Sequence, residues 1–342
     1  MHKLTLSLAI YLLMSLIPLP GSFHHSHANS GAAQQPTQQT KPTQQAKPSP
    51  SPQPPTPAQD QDAPVRLSSR LVMVPVSASD LEGQPVKDLK VEDIVIEEEG
   101  RPQQVVALGE PGKTPVEIAL LFDVSGSTHG QFAFEQRAAE QFIKEVLKPG
   151  DGVSLFSIGM TPKMVKARTT SGDEAIAGIR AMGPSKEPTA FFDTIVEATH
   201  YLNQSAESGS RRVLVVISDG EENYSTRFKL ADAQRELQKN DCLFYAINPS
   251  GGGIRLNTIS IKGQRSLEAM AAETGGEAFN LLKVEDLGAV FRQIANELQA
   301  QYLFGYYATD VPGGDFKRIT VRAPRRPNLR IRARQGYYTT KP

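Results

Sequence analysis

Asp123, Ser125 and Ser127 occupy alternate positions of one short stretch, Asp123-Val124-Ser125-Gly126-Ser127, and a second aspartate, Asp219, follows Ser218 at the end of another apolar run. A carboxylate and two hydroxyls on one tight loop are small oxygen donors, the kind that suit a hard cation. Between the two acids lies Thr189, in the stretch Glu187-Pro188-Thr189-Ala190-Phe191-Phe192. Two roles fit its position: a cap for the helix that follows, or a further hydroxyl brought to the cation.

The elements that must position these residues can be read from the apolar pattern. Residues 118–122 form a continuous apolar run bounded by polar residues, the signature of a strand buried on both faces of a parallel sheet. Asp123 closes that run, so it reaches the carboxyl edge of the strand, where open α/β sheets place their ligand sites. Phe134, Ala138, Phe142, Ile143 and Val146 then recur at helical spacing, which puts the acid and hydroxyls on a strand-to-helix loop. The run ending at Ser218-Asp219-Gly220 brings Asp219 to the same edge.

Over residues 114–299 strands alternate with helices. The pattern predicts strands at 116–124, 152–158, 213–218 and 243–248, and helices at 132–147, 174–182, 191–204, 228–239, 266–274 and 284–300. This is the pattern of an α/β fold: a doubly wound, mostly parallel, Rossmann-like sheet with helices on both faces. The flanks read differently. Residues 71–77, 91–97 and 105–108 before the α/β region, and 302–308, 316–323 and 329–338 after it, are short strands, several alternating apolar with polar. Each set alone leaves edges and a face uncovered, so both are expected to join in one small antiparallel β-domain, 65–113 with 300–342, into which the α/β domain is inserted.

The chain has 342 residues, with 37 basic and 37 acidic side chains, so no bulk field favours nucleic acid or a membrane surface. Its one cysteine, Cys242, sits in an apolar run and reads as a buried small hydrophobe; a single cysteine permits neither an intramolecular disulfide nor a cysteine zinc cluster. Lys3, the apolar run 4–17 and the small residues Ser26 and Ala28 give residues 1–28 the form of a secretory signal peptide, with a run shorter than the roughly 20 residues of a spanning helix. That places the protein in the periplasm or outside the cell, with no transmembrane segment in the mature chain. His24, His25 and His27 go with the leader. Residues 29–64 are mostly Pro, Gln, Thr, Ser and Ala with hardly a large apolar side chain, and are expected to be a disordered linker and spacer.

Asp123-x-Ser125-x-Ser127, then Thr189, then Asp219-Gly220 after an apolar strand, resembles the von Willebrand factor type A domain with its metal-ion-dependent adhesion site. The resemblance covers about residues 114–299, and the flanks are similar to those of secreted bacterial members. Pro188 stands where many members carry glycine. The resemblance implies that Ser125 and Ser127 bind a cation directly, that Thr189 does so directly or through water, and that Asp123 and Asp219 act largely through bridging waters. Magnesium suits such ligation, with manganese or calcium as alternatives. The open position would then take an Asp or Glu from a protein partner, making the chain a non-enzymatic, cation-dependent adhesion or assembly module.

Two other readings remain open in the sequence: a metal-dependent phosphohydrolase, which lacks here the usual second acid two residues after the first, and a structural envelope protein with a vestigial metal site. Each site residue also has a plainer explanation, since serines cap helices and aspartates end strands. Elsewhere, Glu221 and Glu222 read as a solvated turn, His129 as an exposed loop residue, and Gly251-Gly252-Gly253 as a turn lacking the lysine of a phosphate loop. The basic residues within 322–334 alternate with apolar ones, which assigns them to the wet face of the β-domain, not to a nucleic-acid patch.

Overall fold

The chain forms two antiparallel sheets that share one core, and a third, mostly parallel sheet with helices on both faces. The structure is a computed structural model and describes residues 69–125, 131–250, 258–309 and 314–339. The expected leader and linker, Ser127, His129 and the 251–253 glycines lie outside these residues. In chain order the first strands are β1 (Ser69–Ser79), β2 (Val95–Glu98), β3 (Arg101–Gln103) and β4 (Val105–Gly109). The α/β part follows as β5 (Val116–Asp123), α1 (Phe132–Val146), β6 (Gly152–Ile158), β7 (Lys163–Thr169), α2 (Gly172–Ala181), α3 (Phe191–Ser205) and β8 (Arg211–Ile217). It continues through α4 (Leu230–Lys239), β9 (Cys242–Asn248), α5 (Thr258–Thr274), β10 (Ala278–Asn280) and α6 (Leu287–Ala300). Strands β11 (Tyr302–Thr309), β12 (Phe316–Arg322), β13 (Arg330–Ala333) and β14 (Gly336–Tyr338) complete it.

The central sheet runs β10-β9-β8-β5-β6-β7, with every pair parallel except β6 and β7. Every residue of β5 is buried, as the unbroken apolar run requires. Its alternate side chains enter two cores. Ile118, Leu120 and Phe122 pack with α1, α2 and α6, while Ala119 and Leu121 pack with α3, α4 and α5. Burying one such aliphatic side chain contributes about 1.5–3 kcal/mol, so the central strand is anchored from both faces. Phe142 of α1 stacks on Phe291 of α6 at 4.7 Å between ring centres, tying the first helix to the last.

The flanking strands interleave as expected. One sheet runs β13-β1-β11-β4, alternating strands from after and before the α/β part, and the other runs β14-β12-β2-β3, where β12 and β2 join the two flanks. Val74, Val76, Ile96, Phe304 and Tyr306 are fully buried in their shared core. Several local expectations need correction. Residues 91–93 form a 3-10 turn, because the Asp93 carboxylate accepts the Lys90 N–H at 3.0 Å and competes with the sheet ladder. The run 329–338 is broken into β13 and β14, in different sheets, where the Gln335 N–H donates to the Glu273 carbonyl at 2.9 Å. Two central-sheet strands escaped the sequence reading, β7 because lysines blur its alternation on an exposed edge, and β10 because it is three residues long. Helix α5 begins eight residues earlier than the expected 266, at Thr258, and α6 is preceded by a 3-10 turn at Val284–Asp286.

The arginines at 332 and 334 are not on a wet face. Arg332 pairs with Glu297 of α6 and with Glu277 at 3.1 Å, and Arg334 pairs with Asp241, so both side chains bind the β-domain to the α/β part. Glu297 also accepts hydrogen bonds from Ser77 of β1, at 2.7 Å, and from the Tyr245 hydroxyl of β9. Cys242 is buried and unpaired in a disulfide, as expected, and its apolar surroundings push the thiol pKa up.

Candidate functional site

Asp123 ends β5 at the carboxyl edge, opposite Ile158 of β6 and one residue beyond the Phe122–Ile217 pair with β8. It is 1% exposed, yet its carboxylate is held from both sides. One oxygen accepts the Ser125 N–H at 2.9 Å and the other accepts the Ser218 hydroxyl at 2.6 Å. Burial raises its pKa above the ordinary aspartate range, against the lowering effect of those donors. The same Ser218 oxygen accepts the Gly220 N–H at 2.9 Å, and Asp219 accepts the Glu221 N–H at 3.0 Å, so the loop after β8 is wound back on itself. Gly220 has φ +74°, and a Cβ there would meet the Gly263 carbonyl and Leu267 Cγ at 2.8 Å. Only glycine lets α5 pack this closely against the Asp219 loop.

Thr189 does not cap α3. The N-cap residue is Ala190, and it makes no side-chain cap bond. Instead the Thr189 N–H donates to Asn223 Oδ1 at 2.8 Å, while its carbonyl accepts the N–H groups of Asn223 and Tyr224 at 3.2 and 3.1 Å. Those bonds tie this loop to the one after β8, and the segment is also held to the loops after β5 and β6: the Ser185 N–H donates to the Val124 carbonyl, and the Ala190 N–H to the Gly159 carbonyl at 2.8 Å. Three loops, after β5, before α3 and after β8, therefore meet at one edge. Ser125, Thr189 and Asp219 are all buried there, while Ser127 lies outside the described residues. Helix α1 starts from Gln131, so Ser125 is not its cap.

Glu222 is not a solvated turn residue. Its carboxylate accepts the N–H groups of Phe192, Tyr224 and Ser225 at 3.0, 2.8 and 2.6 Å and the Ser225 hydroxyl, fastening the start of α3 to the loop after β8. Asp193 of α3 does the same from its side, accepting the N–H groups of Thr226 and Phe228 at 3.1 and 2.9 Å. Glu221 accepts the Ser260 hydroxyl of α5 at 2.8 Å.

The family model of the von Willebrand factor type A domain matches residues 117–295, more than half of the chain. The chain belongs to the von Willebrand factor type A family. A search of curated proteins returned no match. Among solved structures, the chain is similar to BatB from Bacteroides thetaiotaomicron, with 18% identity, 53% of this chain and 98% of that one covered, and a TM-score of 0.40. It is similar to an aerotolerance-related membrane protein from Bacteroides fragilis, with 18% identity, 54% and 98% covered, and a TM-score of 0.41. It is also similar to the von Willebrand domain of the type V pili tip protein Mfa5 from Porphyromonas gingivalis, with 15% identity, 53% and 94% covered, and a TM-score of 0.44.

One acid of the von Willebrand A domain went unnoticed in the sequence. Glu135, on α1, is 0% exposed, and neither of its carboxylate oxygens has a hydrogen-bond partner. Burial, then the negative charges of Asp123 and Asp219, push its pKa up to about 8. The donors at this edge are all oxygens, carboxylate and hydroxyl, which fits a hard divalent cation. Among the described residues no three His, Cys, Asp or Glu side chains stand close enough to hold an ion by themselves, so an ion here would draw on the hydroxyls and on water. Ser218, Asn223 and Glu222 were also missed as positioning residues; for Ser218 the only cue was its place beside Asp219.

Proposed function

We propose that this von Willebrand A domain is a protein-binding module whose grip on its partner depends on a divalent cation, most naturally magnesium. Ser125, Ser127 and Thr189 would offer hydroxyl oxygens, and Asp123 and Asp219 would act largely through bound water. With few charged groups touching it, the ion stays electrophilic and can accept a partner's Asp or Glu carboxylate. The observation that carries this reading is the meeting of three separately tethered loops at one sheet edge, with two buried aspartates and two buried hydroxyl residues on them. An arrangement that merely ended strands and capped helices would not need it; neither Ser125 nor Thr189 occupies a cap position. The role is binding, not catalysis.

The location we propose is extracytoplasmic. Support comes from the basic residue, apolar run and small residues at the start of the chain. Among the described residues no helix is long and apolar enough to cross a membrane.

Calorimetric titration of magnesium and manganese into the purified protein tests the cation. Saturable binding by the wild type, lost in both Asp123→Ala and Ser125→Ala with folding intact, is the expected result. A chelator should then release any captured partner. Flat titrations, together with partner capture unaffected by chelator, would refute the reading.

A further inference from the structure

Glu135 needs an explanation the five recognised positions do not supply. It lies on the core-facing stripe of α1, with Phe132 one turn before it and Ala139 one turn after it, both buried. A carboxylate in such a place normally has a positive partner or several donors, because desolvating it is costly. Glu135 has neither: both oxygens are without a hydrogen-bond partner, and the charges acting on it are those of Asp123 and Asp219, two further acids. Phe132, one turn before Glu135, packs edge-on against Phe122, the neighbour of Asp123, at 6.4 Å between ring centres, so this turn of α1 lies beside the end of β5 and the three acids act on one another there. A glutamine or leucine would sit there at lower cost, so the acid makes physical sense if something positive enters.

We infer that Glu135 is an outer acid of the cation site, accepting hydrogen bonds from water held by the ion and strengthening the site's hold on a divalent cation. This rests on the cation reading proposed above and adds a residue to it. Among the described residues no three acids stand close enough to hold an ion by themselves, which favours a role through water. A carboxylate that orients bound water typically changes metal affinity by about 10- to 100-fold when removed.

The test uses the purified full chain as wild type, Glu135→Gln, Glu135→Asp and Asp123→Ala, titrated with magnesium alone, with melting followed in chelator and in magnesium. Glu135→Gln is expected to bind magnesium at least about ten-fold more weakly. In chelator it should melt no lower than wild type, so that its magnesium-dependent rise in melting temperature shrinks. Glu135→Asp, which keeps the charge, should fall between the two. Equal affinity in wild type and Glu135→Gln, or a melting change that is the same with and without magnesium, would overturn the assignment while leaving the cation site standing. A wild type that binds no magnesium, like Asp123→Ala, would remove the cation reading and Glu135's role with it.

Discussion

Glu135 and Glu297 are both buried, and they sit in opposite electrical surroundings. Glu297 of α6 accepts from Ser77 and Tyr245 and pairs with Arg332, so its charge is answered by groups from β1, β9 and β13. The joint extends further: Gln301 donates to Ser77 at 3.1 Å, and Arg211 donates to Gln301 at 3.0 Å and to the Leu298 carbonyl at 2.8 Å. Glu135 of α1 has no such partners, and the negative charges of Asp123 and Asp219 act on it. A buried charge that is fully answered holds two parts of a protein together. One that is unanswered marks a place the fold leaves incomplete, and here that place is the sheet edge carrying Asp123 and Asp219.

Removing the satisfied acid should have the larger effect. Glu297→Ala leaves the Arg332 guanidinium with Glu277 alone and strips the Tyr245 hydroxyl of its acceptor, which should cost about 3–5 kcal/mol in urea unfolding. A loss below about 1 kcal/mol would mean the joint is ornamental. Glu135→Gln should act in the opposite direction. The Glu135 carboxyl is raised from 4.5 to about 8 in the folded protein, so the unfolded chain gives up this proton first as pH rises. The metal-free protein should therefore be most favoured by this group below pH 4.5 and lose that contribution as pH climbs through about 8. By pH 7 the loss is about 3 kcal/mol, and Glu135→Gln should remove it, measured as unfolding free energy against pH in chelator. An identical slope in both proteins would erase the contrast between the two glutamates.

Gly220→Ala strikes the same sheet edge through its loops. A methyl at φ +74° driven into the Gly263 carbonyl should cost about 2 kcal/mol and displace Asp219, so both melting temperature and its rise with magnesium should fall. Asn223→Ala is the mildest change. It removes one hydrogen bond to the Thr189 N–H, about 1 kcal/mol, and should weaken magnesium binding more than it lowers stability.

Much of this was legible in the sequence because the physics is local. An unbroken apolar run ending in aspartate can hardly be anything but a buried strand delivering an acid to its edge, and β5 and β8 are such strands. Glu135 was not legible, because the helical spacing of Phe134 and Ala138 drew the apolar stripe one residue off. Both are only partly buried, while Glu135 and Ala139 face the core. Glu222 and Asn223 were hidden for a different reason. Their hydrogen bonds reach Phe192 and Thr189, some thirty positions away, and polar residues beside an aspartate look like any exposed turn. The split of 329–338 into two strands likewise depends on a distant carbonyl, that of Glu273.

Manganese scatters anomalously, so crystals grown or soaked with it would locate the ion directly. One strong peak is expected at the carboxyl edge of β5, about 2 Å from the Ser125 hydroxyl oxygen, with water between the ion and Asp123, Asp219 and Glu135. A well-occupied peak elsewhere on the molecule, or a clear map at this edge with none while manganese binds in solution, would contradict it.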